Sequence, residues 1–475
     1  MSVKRYHGIP YRVWNPFTPM DEFLPLLGYA STVITRGKGP YVFNDRGTRY
    51  IDGKSSTWNV AIGHGREELV NAATKQMREL AFASCFYSVH PKAIELAAKL
   101  VEITSGTYEY VLLGTNGSEA VETALKLVRQ YHRQSPNQQD HNRYKIISLR
   151  GSYHGCSYGT ISTSGLERDT TKYGPLVPGF IQIEPPYCYR CPYGKNGYPE
   201  CNLECARALE KTIVSEGVET VAAFILEPIM GFFGVVDPPE EFYKRVGEIC
   251  HRHGLLFIVD EVTTGFGRTG KLFVSEDWNP QPDILCLSKG ISSGYLPLAA
   301  TLTTDTIYER FNGHGNMFDN GSTASGHPVC AAVGLANIDI IIGEKLPENA
   351  AKVGTYLKNC LKELMDRREL IGDIRGRGLM LGIELVKDRK NKIPLNEKDT
   401  FKIVTDINLL GLLVDSHPSF IGLLPPLIID EDIADTIVEI LDKALDARRS
   451  TRIARKARLV KEIATANLKY RGSRQ

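Results

Sequence analysis

Long apolar runs are missing from this chain of 475 residues. None approaches the roughly 20 residues that a membrane-crossing helix needs, which excludes a helical span and a membrane partner. The first residues, Met1-Ser2-Val3-Lys4-Arg5-Tyr6, lack the apolar core of a secretory signal, so a cytoplasmic protein is expected. No internal repeat and no low-complexity stretch is visible, which removes repeat arrays and disordered linkers from consideration. An excess of one charge is missing too: the net charge is only +2. That balance hides an uneven distribution, because Arg448–Gln475 carries ten Lys or Arg against one acid, Glu462, and the remainder is net acidic. A basic tail can touch nucleic acid, but this one has no interleaved aromatics apart from Tyr470. A solvated helical extension or a subunit contact is the expectation, and no nucleic-acid partner.

What is present is ordinary for a globular protein: 42% hydrophobic and 24% charged residues. Apolar strand-like runs alternate with helical patterns between about residues 110 and 330. The runs are Tyr110–Leu113, Lys145–Leu149, Val221–Leu226, Leu255–Val259, Asp283–Leu287 and Leu298–Leu302. Between some of them lie helices such as Ser118–Arg133, with Ala120, Ala124, Leu127, Val128 and Tyr131 on one face, and Glu240–His253, stopped by Gly254. This alternation predicts an α/β protein with an open, mainly parallel sheet covered by helices. A second α/β segment, 331–449, has helices at Glu397–Leu410 and Glu431–Ala447 and joins residues 1–60 in a smaller domain. The large domain then spans 61–330, and 450–475 is the basic tail.

In open sheets of this kind, ligands sit beyond the carboxyl ends of the strands. The residues able to do chemistry stand there. Gly114-Thr115-Asn116-Gly117-Ser118 follows the first run, Tyr153-His154-Gly155 the second, Glu227 the third, Asp260 the fourth and Lys289 the fifth. Gly117 and Ser118 open a helix, where free N–H groups and the positive helix end make a phosphate seat; a plain serine cap is the alternative. Asp260 either caps a turn or pairs with a protonated pyridine nitrogen. Lys289, between an apolar run and small residues, suits a Schiff base with an aldehyde. Burial lowers the pKa of such an amine, and once freed it can carry a proton between two carbons. An acid and a lysine in this register are what pyridoxal phosphate requires. Tyr153 and Val262, the latter two residues beyond Asp260 on the same strand side, are placed to flank its ring.

The stretches "GTNGSEAVETALKLVR", "YHG", "EPIMG", "DEVTTGFGRTGKLF", "LSKGISSGYLPLAA", "GSTASGHPVCAA" and "IRGRGLMLGIEL" resemble the class III aminotransferases, pyridoxal-phosphate enzymes of fold type I. The resemblance runs from about Tyr41 to Asp442. It implies a seven-stranded, mainly parallel sheet, with Lys289 as the Schiff-base lysine and Asp260 as the pyridinium partner. Gly117 and Ser118 are then phosphate ligands, with Glu227 also beside the cofactor and Tyr153 and Val262 around the ring. Thr323 would reach the phosphate of a neighbouring subunit, which implies a homodimer and leaves tetramers open. Trp58, with Phe86 and Tyr87 nearby, matches an aromatic wall of the substrate pocket.

Members that use 2-oxoglutarate resemble one another in a Glu–Arg pair that reads the carboxylate. Here Phe232 and Gly422 stand in those places, and Thr263 replaces a frequent Gln. The amine:pyruvate branch uses an arginine where this chain has His417, a weaker and pH-dependent carboxylate ligand or simply a loop residue. The expectation is ping-pong transfer of an amino group from an ω-amino acid, amine or diamine to a small 2-oxo acid such as pyruvate. Racemase, decarboxylase or lyase chemistry on the same scaffold is the alternative, as is a 2-oxoglutarate-using transaminase.

Ten cysteines are present, and four of them form C-x2-C-x9-C-x3-C at Cys188, Cys191, Cys201 and Cys205, inside an insert at 185–206. Such spacing suits structural zinc or an iron–sulfur site. It equally suits cysteines that pack a Pro- and Gly-rich loop or form redox-labile pairs.

Overall fold

The computed structural model describes residues 5–23, 33–104, 106–166, 171–313 and 315–446. The expected basic tail lies outside the described residues.

Seven strands form the central sheet: β1 (Tyr110–Gly114), β2 (Lys145–Leu149), β3 (Phe180–Ile183), β4 (Val221–Leu226), β5 (Leu256–Asp260), β6 (Ile284–Leu287) and β7 (Ala299–Thr303). Their spatial order is β1-β7-β6-β5-β4-β2-β3. Strands β3, β2, β4, β5 and β6 pair in parallel, and β7 runs antiparallel to both β6 and β1. Every residue of β4, β5 and β6 is buried, because helices cover both faces of a parallel sheet; this is why these strands read as unbroken apolar runs. β3 is the strand that the sequence did not reveal: Phe-Ile-Gln-Ile is only four residues long and sits at the sheet's edge. β5 also runs one residue further than expected, so Asp260 is its last residue. Val262 therefore lies in the turn beyond β5 and not along its side.

The helix Gly117–Arg133 leans Ala120, Val121, Ala124, Leu125, Leu127 and Val128 into the core. Its start is set by Asn116, whose side-chain oxygen accepts the Glu119 N–H at 3.0 Å. The capping role that Ser118 could have filled thus belongs to Asn116. In Glu240–His253 the two acids of the first turn and the basic last turn both complement the helix dipole. That helix closes on Gly254 at φ 66°, the left-handed cap for which glycine is suited.

Among the described residues three further sheets are present, the smallest a two-stranded ladder of Arg5–Tyr6 with Ile9–Pro10. Strands Ile371–Arg377, Met380–Asp388, Phe420–Leu423 and Asp415–His417 form an antiparallel sheet, joined by Ile393–Pro394. The remaining sheet combines Ile34–Lys38, Tyr41–Asn44 and Arg49–Asp52 with Leu412–Leu413, which pairs in parallel with Arg49–Asp52. Chain segments far apart in sequence are thereby joined in one ladder. Among the described residues, no helix is long and apolar enough to cross a membrane.

Candidate active site

A cavity of about 290 Å³ opens at the carboxyl ends of the central strands. Gly117, Ser118, Tyr153, Glu227, Asp260, Val262 and Lys289 all line it. Seven residues picked from sequence thus converge on one space.

One end of the cavity is the start of the Gly117–Arg133 helix. The first N–H groups of a helix have no carbonyl one turn earlier to bind, so Gly117 and Ser118 present donors there. The Val262 side chain crowds this end: a Cβ at position 117 would lie 2.8 Å from Val262 Cγ1, and glycine leaves that approach open. Ser118 Oγ accepts the Cys156 N–H at 3.1 Å. Behind it, Glu119 accepts both the N–H and the hydroxyl of Thr115, at 2.8 and 2.6 Å, and the Ser325 hydroxyl at 3.2 Å. This ties the loop that carries Thr323 to the back of the seat. Thr323 itself is exposed and does not line the cavity.

The strand ends supply the acids. Asp260 is 5% exposed, and its Oδ2 lies 2.8 Å from His154 Nδ1. Its Oδ1 accepts the Val262 N–H at 3.1 Å, so the same carboxylate also fixes the turn after β5. His154 Nε2 is buried with no partner among the described residues, which leaves Nδ1 as the anchoring atom. Glu227 receives the N–H groups of Tyr153 at 2.9 Å and Gly231 at 3.2 Å. Burial raises its carboxyl to about 7, with the Asp260 charge adding to the rise and His154 opposing it.

Lys289 stands at φ 45°, in the left-handed region, separated from the end of β6 by Ser288. A non-glycine residue there is strained, and the backbone turn is what carries the side chain back over the strand ends. Desolvation brings its amine down to about 8, against the opposing pull of Asp260, Glu227 and Asp415. Nζ donates to Thr263 Oγ1 at 2.7 Å and lies 5.2 Å from the centre of the Trp58 ring. Thr263 was noted in the sequence only as a departure, and His154 only as a neighbour of Tyr153. Their partners are 26 and 106 residues away, a separation that no local pattern reports.

Trp58 is 2% exposed and belongs to an aromatic group centred on Phe232. The Phe232 ring lies 4.4 Å from Trp58, 4.6 Å from Tyr153 and 5.0 Å from His417, the last edge-on. His417 stacks in turn on Phe420 at 5.0 Å. Gly422 sits in the strand Phe420–Leu423 opposite Gly382 and Asp415. Phe86 and Tyr87 do not line the cavity: they are 49% and 107% exposed. A Cβ at Gly321 would meet the Phe86 ring at 3.0 Å, so these aromatics and the Thr323 loop share one exposed patch. The four clustered cysteines are all free, and among the described residues no three His, Cys, Asp or Glu could hold one metal ion together.

The cavity fits a phosphorylated pyridine aldehyde. It has donors at one end, an anchored carboxylate and a partly neutral amine, and glycine opens the backbone where bulk must pass.

Comparisons with known proteins agree. A putrescine–pyruvate aminotransferase of Pseudomonas aeruginosa is 35% identical over 451 residues, 94% of this chain and 95% of that one. An adenosylmethionine-8-amino-7-oxononanoate aminotransferase of Staphylococcus aureus is 36% identical over 91% of this chain and 95% of its own length. The crystal structure of an amine transaminase from an uncultivated Pseudomonas species, in its pyridoxal-phosphate-bound form, superposes with a TM-score of 0.87 at 38% identity. It covers 92% of this chain and 98% of that one. The family model for class-III aminotransferases matches residues 28–445, and with it the chain takes its place among these pyridoxal-phosphate-dependent transaminases, on the fold of type I.

Proposed function

We propose that this transaminase takes the amino group of an amine, diamine or ω-amino acid and delivers it, in a ping-pong cycle, to a small 2-oxo acid such as pyruvate. The observation that carries this reading is Phe232. It stands where 2-oxoglutarate users resemble one another in a carboxylate-switching glutamate, and its ring contacts Trp58, Tyr153 and His417. An aromatic wall favours the apolar body of an amine over a second carboxylate. The putrescine–pyruvate name of one relative supports it.

When bound, pyridoxal phosphate supplies an aldehyde carbon for the donor nitrogen and a protonated ring that draws in electrons from the substrate carbon. Lys289 holds the aldehyde. At about 8, its amine is neutral in roughly a tenth of molecules at pH 7, whereas at an ordinary 10.5 the share is several hundredfold smaller. Once free, Nζ would serve as the group that takes up and gives back a proton at the substrate carbon, with Thr263 Oγ1 holding the amine in place at 2.7 Å. Asp260, anchored by His154 at 2.8 Å, is the residue that would hold the ring nitrogen. Gly117 and Ser118 would take the phosphate, Tyr153 and Val262 would flank the ring, and Glu227 would stand beside it. Trp58 and His417 shape the donor side, and His417 offers the acceptor carboxylate a pH-dependent contact.

On the same footing we assign residues 61–330 to the cofactor-binding domain and 1–60 with 331–449 to the smaller one. A homodimer is proposed, because Phe86, Tyr87 and Thr323 form an exposed patch suited to covering by a second copy. With all ten cysteines free, the cytoplasm is the proposed compartment.

The test is a half-reaction. The pyridoxal form is mixed with amines, diamines, ω-amino acids and S-adenosylmethionine, and the cofactor spectrum is followed without any oxo acid. Conversion to the pyridoxamine form, reversed by pyruvate and not by 2-oxoglutarate, is expected. Reversal by 2-oxoglutarate alone, or no pyridoxamine with any donor, refutes the reading.

A further inference from the structure

The strand Asp415–His417 brings a charged residue to the wall that His417 helps to build. Side chains alternate along a strand, so Asp415 and His417 project from one face. Directly opposed residues of an antiparallel pair share that face, and Asp415 is paired with Gly422 and His417 with Phe420. His417 stacks on Phe420 at 5.0 Å and meets the Phe232 ring edge-on at 5.0 Å, so this face looks onto the aromatic group of the donor side. Asp415 stands two residues along the same face. Its charge is felt at Lys289 Nζ together with those of Asp260 and Glu227, although it comes from a different sheet.

This carboxylate is half-buried. Its Oδ1 accepts the N–H of the next residue, Ser416, at 2.9 Å, and among the described residues no lysine, arginine or histidine pairs with it. The two buried arginines of this region are engaged elsewhere. Arg375 donates to Gly234 O at 2.5 Å and pairs with Glu384 at 2.6 Å, and Arg268 donates to the carbonyls of Leu379 and Pro425. Gly422, directly opposite, stands in the place of the arginine that 2-oxoglutarate users share. A Cβ there would lie 3.7 Å from Asp415 Cβ, and glycine leaves that space open. An anion with room before it thus replaces a cation. A partly desolvated carboxylate beside aromatic rings repels a donor that ends in carboxylate or sulfonate and attracts one that ends in ammonium.

We propose that Asp415 receives the distal ammonium of an α,ω-diamine and so makes diamines the preferred donors of this enzyme. The proposal rests on the transaminase reading and narrows its donor class. One nitrogen of the diamine reacts, the apolar stem lies against Phe232 and Trp58, and the other nitrogen, still protonated, donates to Asp415. Pyruvate carries its carboxylate next to its reacting carbon, whereas the second amine of a diamine lies at the far end of the chain. The acceptor therefore need not approach Asp415.

The test compares donors of similar length that end in ammonium, methyl and carboxylate: 1,4-diaminobutane, pentylamine and 4-aminobutanoate. Each is titrated against the pyridoxal form of the holoenzyme, and the half-saturating concentration is read separately from the maximal rate of pyridoxamine formation. The parent should half-saturate with the diamine at about a tenth of the pentylamine concentration, and should need most of all of 4-aminobutanoate. In Asp415→Asn the advantage of the diamine over pentylamine should shrink about tenfold, and 4-aminobutanoate should gain on pentylamine. A merely structural role would move all donors together or none, and either result overturns the proposal. So does a parent that ranks the diamine level with pentylamine or below it, a measurement that holds even if Asp415→Asn fails to fold. If the diamine is not preferred while pentylamine still yields pyridoxamine, the transaminase reading stands alone; if no donor yields pyridoxamine, both fall.

Discussion

Glu227→Gln tests the electrostatics of the site through folding. Burial holds the Glu227 carboxyl at about 7, against an ordinary 4.5. Below about 4.5 both the folded and the unfolded chain keep the proton, and the group costs nothing. As pH rises from there to about 7, the unfolded chain releases its proton first, so stability falls across this window and is level above it. At 1.36 kcal/mol per unit of pKa, the loss comes to about 3 kcal/mol. Glutamine cannot ionise and escapes that loss. It has one acceptor oxygen, however, and leaves the N–H of either Tyr153 or Gly231 unpaired, at about 1 kcal/mol. The variant is therefore less stable than the parent by about 1 kcal/mol at pH 4, about equal to it near pH 5, and more stable by about 2 kcal/mol at pH 8. Thermal unfolding midpoints of both proteins, saturated with pyridoxal phosphate, should cross between these pH values. Midpoints that run parallel from pH 4 to 8 would refute a neutral, buried Glu227.

Four further outcomes are expected. Lys289→Ala should abolish turnover yet bind pyridoxal phosphate reversibly, so that borohydride fixes the cofactor to the parent and not to the variant; turnover with any donor contradicts its role. Asp260→Asn should slow the amine half-reaction about 100-fold, or roughly 3 kcal/mol, in stopped-flow spectra, and an unchanged rate removes Asp260 from the chemistry. Gly117→Ala places a Cβ 2.8 Å from Val262 Cγ1 and should weaken pyridoxal-phosphate affinity about tenfold, within the usual cost of overpacking; equal affinity by equilibrium dialysis means that Val262 gives way. His417→Arg should lower the KM for pyruvate, and an unchanged KM would make His417 a packing residue only.

The sequence revealed the central sheet where burial on both faces left a plain signature. The run at Val221–Leu226 coincides with its strand, and the other expected strands lie within a residue of theirs. It missed Phe180–Ile183, whose four residues at the sheet edge carry too little pattern to separate from loop. The cavity's lining was legible because chemistry-bearing residues follow strand ends, a rule that needs topology alone. The contacts that tune the site were not. His154 on Asp260 and Thr263 on Lys289 depend on strands brought together by the fold. Val262 was misplaced onto the strand because only the hydrogen bond from its N–H to Asp260 shows where the turn begins.

The ladder between Arg49–Asp52 and Leu412–Leu413 has a consequence for synthesis. The earlier strand leaves the ribosome some 360 residues before its parallel partner. At roughly 5–20 residues per second, it waits about 20–70 s with that edge open. During this interval its unpaired N–H and C=O groups can pair with another nascent chain, so crowded expression and slowed translation should both favour aggregates nucleated by the first 60 residues.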